Sequence, residues 1–180
     1  LGLSNLTVIR EALEIIEAVH GDQVVMDDIP LDDEQTFELL GRAETTGVFQ
    51  LESDGMKRYI RELKPTVIDD IIAMVALYRP GPMQFIDSFI ARKHGREKVA
   101  YIHPLTENAL RQTYGIPVYQ EQVMRILNRL GDIPLADAYT CIKAISKKKQ
   151  AIIAANYERF IEGATSNGLD PKDAEEIWNL

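Results

Sequence analysis

The sequence has 180 residues, of which 46% are hydrophobic and 27% are charged, and its net charge is −8. This composition is typical of a soluble globular protein with enough chain for one sizeable core. It excludes a disulfide framework, because Cys141 is the single cysteine, and a membrane span, because no apolar run approaches roughly 20 residues. Charged residues also interrupt the N-terminal apolar positions, so these residues are not expected to form a signal peptide.

The negative charge is unevenly distributed along the chain. Residues 1–75 carry 6 Lys/Arg against 16 Asp/Glu, a net charge of −10, whereas residues 79–159 carry 13 against 7, a net charge of +6. An acidic total argues against nonspecific nucleic-acid binding by the whole surface. A basic middle can nevertheless form a local anion-binding face.

The first two predicted helices are defined by apolar spacing and by capping residues. Apolar side chains recur at spacings of three and four over residues 5–19, after Ser4, which can cap the helix. Asp32 or Asp33 can cap a short second helix, and Gly41 can close it.

Two further helices lead into a rigid turn. The third helix must stop before Pro65, and Thr66 can cap the fourth. We expect the fourth helix to be central in the core, because it has a broad apolar face made of Val67, Ile68, Ile71, Ile72 and Val75. Two prolines around Gly81 then fix the chain direction, so Tyr78 and Arg79 are expected at set positions.

The helix after this turn ends in three basic residues, Arg92, Lys93 and His94. By themselves these residues are typical of a solvated helix end whose cations complement the helix dipole.

Four more helices are predicted in the second half. Their boundary signals are Gly131, Pro134 in the first turn of the next helix, Asn167-Gly168 after a long helix, and Asp170-Pro171 at the start of the last one. Strand signals occur only at residues 46–51 and 116–119. The sequence therefore predicts a mainly α fold, a multi-helix orthogonal assembly with at most a few short strands.

Residues with catalytic or metal-binding chemistry are sparse. His20, His94, His103 and Cys141 lack metal-ligand spacing, and adjacent aspartates point to different faces of a helix or strand. We therefore predict no catalytic residue and no metal ligand in this chain.

Phosphate binding has better support. Lys143 lies four residues before Lys147, with Lys148 and Lys149 following. The spacing fits both a polyphosphate site and a solvated lysine run at a helix end.

Five sequence blocks occur in order along the chain: GVFQLES at 47–53, ALYRPGP at 76–82, FIARKHGR at 89–96, YG with VYQEQVM at 114–124, and SKKK with ERFIEGA at 146–164. Together they resemble the bacterial replicative DNA polymerase III alpha subunit family, the family C polymerases. The resemblance covers essentially the whole chain.

The resemblance implies a bacterial cytoplasmic nucleotidyltransferase that extends a DNA primer by two-metal Mg²⁺ chemistry on palm-domain aspartates. It places those aspartates upstream of Leu1, so the isolated chain is expected to be inactive. It also implies that residues 1–25 are the end of the palm or a connecting helix, and that residues 26–180 are a fingers domain truncated at its C-terminus. The implied partners are primer–template DNA, deoxynucleoside triphosphates and, through regions outside this chain, other replicase subunits.

Fingers of this family grip the incoming triphosphate and help to place the template. The family usually has an Arg-Arg pair at the positions of Ile142 and Lys143, so one cation is missing here and the other lacks a bidentate fork. The resemblance assigns nucleotide binding to Lys143, Lys147 and Lys148. It assigns DNA contacts to Arg79, Arg92, Lys93 and Arg96.

Two other functions are compatible with the residues alone. One is a non-catalytic helical nucleic-acid-binding module, and the other is an acidic protein-interaction module that uses residues 1–75 on a basic partner. Palm aspartates in the upstream sequence would distinguish the polymerase from the first, and the second predicts no affinity for DNA or nucleotides.

Overall fold

A computed structural model describes residues 4–179, apart from the side chain of Asn5. Within that range all regular structure is helical, which confirms the mainly α, multi-helix class. The helices are α1 (Ser4–His20), α2 (Glu34–Gly41), α3 (Asp54–Leu63), α4 (Ile68–Leu77), α5 (Ile86–Lys93), α6 (Glu107–Leu110), α7 (Gln120–Gly131), α8 (Leu135–Ser146), α9 (Gln150–Ser166) and α10 (Pro171–Trp178). Short 3-10 turns occupy Met26–Asp28, Pro82–Phe85, Pro104–Thr106 and Arg111–Thr113.

Several of the predicted helix boundaries are confirmed by their caps. The Asp33 carboxylate accepts a hydrogen bond from Thr36 N at 2.7 Å at the start of α2, and Asp170 accepts one from Lys172 N at 2.8 Å at the start of α10. These side chains satisfy backbone N–H groups that have no partner inside the helix. Leu180, where the sequence pattern ended the last helix, lies outside the described residues, as do Leu1, Gly2 and Leu3.

Three boundary predictions were wrong. Ser4 does not precede α1 as its cap but is the first residue of the helix. Thr66 does not cap α4: Asp70 Oδ2, inside the helix, accepts from Thr66 N at 2.9 Å and from Val67 N at 3.3 Å. The Thr66 hydroxyl is engaged elsewhere, since it donates to Asp70 Oδ2 at 3.4 Å and accepts from Lys93 Nζ at 3.0 Å. Pro134 immediately precedes α8 instead of lying in its first turn.

Both predicted strands were also wrong. Residues 46–51 form consecutive turns in which Gly47 and Gln50 have positive φ angles of 79° and 63°. Residues 116–119 find no partner strand, because the Gln122 side-chain oxygen accepts from Val118 N at 2.8 Å and Tyr119 N at 2.9 Å. The hydrogen bonds that a sheet would supply are made within the turns or by this amide.

The buried apolar side chains form two separate cores. The first core lies among α2, α3, α4 and α5 and is made of Leu40, Leu51, Met56, Ile60, Leu63, Ala73, Met74, Leu77, Ile86, Phe89, Ile90 and Ile116. The second core lies among α6 to α10 and is made of Ala109, Leu110, Ile126, Leu127, Leu130, Ile133, Ala138, Cys141, Phe160, Ala164, Leu169, Ala174 and Ile177.

The apolar stripe of α4 is less buried than we expected from its pattern, and part of the stripe of α1 is also exposed. In α4 the residues inside the core are Ala73, Met74 and Leu77, while Val67 and Ile72 are about half exposed. In α1, Ile9 and Val19 are exposed. No helix within residues 4–179 is long and apolar enough to cross a membrane.

Two glycines allow α7 and α9 to approach each other with their backbones in contact. A Cβ atom built at Gly163 would collide with the carbonyl of Gly131 and lie 2.9 Å from the Gly131 Cα. A Cβ at Gly131 would lie 3.1 Å from the Phe160 Cα. The backbone cannot yield as a flexible side chain would, so both positions exclude a side chain.

We expect Gly163→Ala to lower the free energy of unfolding by about 1–3 kcal/mol, because the added methyl overpacks the α7–α9 contact. Gly41→Ala is the matched control, since Gly41 is also helical and has no atom within 4 Å of a built Cβ. That change should be neutral or stabilising by up to about 1 kcal/mol. Urea unfolding of both variants measures the difference, and an equal effect would contradict the close contact.

Candidate nucleotide and nucleic-acid interface

The end of α5 carries three consecutive basic residues, Arg92, Lys93 and His94, that contact three different neighbours. Successive residues of a helix are rotated by about 100°, so their side chains leave the axis in different directions. Each of the three is directed towards another part of the molecule.

Lys93 forms a buried ion pair with Asp70. Its Nζ lies 2.9 Å from Asp70 Oδ2, and the two side chains are only 9% and 3% exposed. Nζ also donates to Thr66 Oγ1 at 3.0 Å. Because Asp70 Oδ2 is the atom that caps α4, Lys93 connects the end of α5 to the start of α4.

Arg92 holds the loop after α5. Its Nε donates to Glu97 Oε1 at 2.7 Å, and its Nη1 donates to the Tyr114 carbonyl at 3.0 Å. The hydrogen bond from Arg92 lowers the pKa of the Glu97 carboxyl below its usual value. Gly115 permits this arrangement, since a Cβ there would lie 3.3 Å from Arg92 Nη1 and collide with the Ala100 carbonyl.

His94 contacts the end of α3. Its Nε2 lies 2.9 Å from the Leu63 carbonyl oxygen and 3.2 Å from that of Glu62. A carbonyl only accepts, so Nε2 must carry the proton. These are among the last carbonyls of α3, which lack partners inside the helix.

Of the four arginines and lysines predicted to contact DNA, Arg79 and Arg96 are exposed, while Arg92 and Lys93 are partly buried. None of the ion pairs found among residues 4–179 involves Arg79 or Arg96. Arg96 borders a depression of about 240 Å³ that Glu62 and Asp87 also line. Arg79 and Arg96 are therefore the two whose charges face solvent.

The predicted phosphate-binding lysines lie at the junction of α8 and α9. We call the depression at this junction the lysine depression; it has a volume of about 240 Å³ and is lined by Tyr139, Thr140, Lys143, Ala144, Lys147, Lys149 and Ile152. Lys143 Nζ lies 4.3 Å from the centre of the exposed Tyr139 ring. The ion pairs among the described residues include none of the lysines here.

The set of lysines that line the depression differs from the set predicted from the sequence. Lys148 is not among the lining residues, and Lys149 is. Lys148 has a left-handed backbone, with φ of 52°, in the bend between the two helices. Sequence spacing could not reveal this bend inside a run of identical residues.

Ile142, at the position where the resembling family carries an arginine, packs on the buried face of α8. It is 9% exposed, whereas its neighbour Lys143 is exposed. Lys143 is therefore the only member of this pair that presents a charge to the lysine depression.

The described residues contain no group of three or more His, Cys, Asp or Glu that could hold a metal ion. Burial raises the pKa of Tyr114, with the negative charge of Asp70 adding to it, and burial raises the pKa of the Cys141 thiol. These groups therefore stay neutral near pH 7. The lysines and arginines exposed on this surface carry ammonium and guanidinium groups, which can donate hydrogen bonds to anions.

Comparison with known proteins gives a consistent result. The sequence model of the bacterial DNA polymerase III alpha subunit finger domain matches residues 5–168. Over all 180 residues, the chain is 41% identical to the DNA polymerase III subunit alpha of Staphylococcus aureus strain COL and 43% identical to that of Halalkalibacterium halodurans. All of this chain is matched, and it spans 17% and 16% of those two relatives.

We expect Lys93→Met to lower the free energy of unfolding by about 3–5 kcal/mol, because it leaves the Asp70 carboxylate buried without its counter-charge. Lys98→Met is the control, since Lys98 is an exposed lysine in the same region. An exposed substitution of this kind should stay within about 0.5 kcal/mol. Urea denaturation tests both, and similar small effects would show that the ion pair contributes little.

Proposed function

Since this chain belongs to the family of bacterial DNA polymerase III alpha subunit finger domains, we propose that it binds the incoming nucleotide and helps to place template DNA in a DNA-directed DNA polymerase. Residues 1–25 would be the end of the palm or a connecting helix, and residues 26–180 the fingers. Primer–template DNA and deoxynucleoside triphosphates are the proposed ligands. Other replicase subunits would bind through regions outside this chain.

The described residues do not fit the Mg²⁺ centre of such an enzyme, since no carboxylates are grouped as metal ligands. We therefore assign no chemical step to this chain and place the metal ligands elsewhere in the polymerase. What remains for this chain is to bind and orient the substrates.

The observation that carries the nucleotide assignment is the lysine depression. Lys143, Lys147 and Lys149 line it. Such a concentration of positive charge is unfavourable until an anion enters, and a triphosphate supplies several negative oxygens at once. Lys148, which the resemblance assigns to the triphosphate, is adjacent but outside the lining.

Lys143 has two competing partners in this proposal. Its contact with the exposed Tyr139 ring is worth about 0.5–1 kcal/mol. A hydrogen bond to a charged group is worth about 1.5–3 kcal/mol. The phosphate is the stronger partner, so Lys143 would leave the ring when the nucleotide binds.

For DNA we propose two different roles within the set of four cations. Arg79 and Arg96 would contact backbone phosphates directly, because their charges face solvent. Arg92 and Lys93 would act through the structure, since their charged groups hold Glu97, Tyr114 and Asp70. Their loss would weaken DNA binding together with stability.

We expect Lys143→Ala to reduce nucleotide use, measured as kcat/KM for the incoming nucleotide in the full-length polymerase, by about ten- to a hundredfold. Lys147→Ala should act in the same direction. Primer–template affinity should change little, since the lost contact belongs to the nucleotide.

Lys148→Ala is the matched control for the lysine depression. It removes the same charge one residue from Lys147 but from outside the lining. A loss as large as that of Lys143→Ala would show that the depression does not define the nucleotide site.

We expect Arg79→Ala in the full-length polymerase to weaken primer–template binding and to reduce the slope of log affinity against log salt by about one unit, the value for one lost phosphate contact. Salt-titrated fluorescence anisotropy with labelled DNA measures both quantities. An unchanged salt slope would rule out a phosphate contact by Arg79.

The isolated 180-residue chain should not extend a primer, because no metal-binding carboxylate set is found among its described residues. The assay supplies primer–template, Mg²⁺ and all four deoxynucleoside triphosphates, with the full-length polymerase as the positive control. Metal-dependent synthesis by the pure chain would show that the catalytic aspartates were misplaced.

A further inference from the structure

We propose that Gly55 is a positioning residue for Arg79, and that it acts through the ring of Tyr78. The inference rests on the DNA contact proposed for Arg79. Gly55 lies in the first turn of α3, whereas Arg79 follows the end of α4.

The ring of Tyr78 lies directly against the bare backbone of Gly55. A Cβ atom built at Gly55 would collide with the Tyr78 hydroxyl oxygen and lie 3.3 Å from Tyr78 Cζ. The contact therefore exists only because residue 55 has no side chain. Gly55 has no positive φ that would explain the glycine in another way.

A second aromatic ring holds Tyr78 in this place. The Tyr59 and Tyr78 rings meet edge to face, with centroids 6.0 Å apart and an angle of 67° between their planes. Within α3, the Arg58 guanidinium lies 4.7 Å from the centre of the Tyr59 ring. The Tyr78 ring is thus fixed to α3 by contacts with Gly55 and Tyr59.

The backbone of Tyr78 transmits this position to Arg79. Tyr78 has φ of −75° and ψ of 64°, and Arg79 N donates to the Leu77 carbonyl at 2.7 Å. These values define an inverse γ-turn centred on Tyr78. Pro80 restricts the backbone of Arg79 on the other side, so Arg79 has little freedom to compensate for a displaced Tyr78.

A methyl group at position 55 must therefore move either α3 or the Tyr78 ring. The first turn of α3 is held by Ser53, whose hydroxyl accepts from Met56 N, and by the buried side chain of Met56. Tyr78 is only partly buried at the surface end of α4, so it is the residue that shifts. The ring then loses its place against α3 and its contact with Tyr59, so the γ-turn and Arg79 lose the contacts that hold them in position.

The test is a double-mutant cycle in the full-length polymerase, read as primer–template affinity and its salt slope. Gly55→Ala should weaken binding by about tenfold, the loss that one charge-assisted contact represents. It should also lower the salt slope by about one unit. In an Arg79→Ala background, Gly55→Ala should cause no further loss, because it acts through Arg79.

The outcomes separate this inference from the proposed function. An unchanged affinity in Arg79→Ala would overturn the proposed DNA contact itself. A normal Arg79→Ala effect with an unchanged Gly55→Ala variant, or with additive losses in the double variant, would overturn only the role of Gly55. Gly41→Ala, which meets open space, should leave affinity and salt slope unchanged.

Two further variants keep the test decisive if Gly55→Ala folds poorly. Tyr78→Ala adds no bulk, yet it should reproduce the loss of affinity and the lower salt slope. Tyr78→Phe removes the oxygen that the new methyl meets, so it should restore part of the affinity of Gly55→Ala. Failure of Tyr78→Ala to weaken DNA binding, or of Tyr78→Phe to rescue Gly55→Ala, would overturn the proposed path.

Discussion

The buried ion pair between Lys93 and Asp70 is the interaction on which the arrangement of the first core depends. A charge at this depth is strongly unfavourable unless it is paired and hydrogen-bonded, and here one carboxylate oxygen serves both the ammonium group and the start of α4. Arg92 and His94 extend the same helix end to the loop at Tyr114 and to the carbonyls of α3. One turn of α5 thereby fixes three neighbouring segments.

The sequence predicted the helices well because caps and apolar spacing are local signals, as Asp33 and Asp170 illustrate. It failed at residues 116–119, because the Gln122 amide replaces a partner strand and no spacing rule encodes that substitution. The sequence also could not predict that Lys93 forms a buried ion pair. A lysine at a helix end looks solvated until the carboxylate that it meets, 23 positions away in sequence, is known.

Gln122 also explains how the two cores are joined. Its amide nitrogen donates to the Ala109 carbonyl at 3.1 Å and to Thr113 Oγ1 at 2.8 Å, while its oxygen accepts from two backbone N–H groups. The amide therefore connects Val118 and Tyr119, which pack against the first core, to Ala109 in the second core. Arg79 and Arg96 lie next to α4 and α5, which pack around the first core, whereas the lysine depression lies between α8 and α9, which pack around the second. The two proposed ligands would therefore contact different halves of the chain.

The contact between Gly131 and Gly163 sets the orientation of α9 against α7 through backbone atoms. Gly163 lies 13 residues after the start of the helix at Gln150, so at 1.5 Å per residue the arm between them is about 20 Å long. At this contact the two glycines have no side-chain rotamers that could absorb a tilt of the helix. A tilt of α9 by about 3° about Gly163 would therefore move Lys149, which directly precedes the helix, by roughly 1 Å, whereas Lys143 lies on α8.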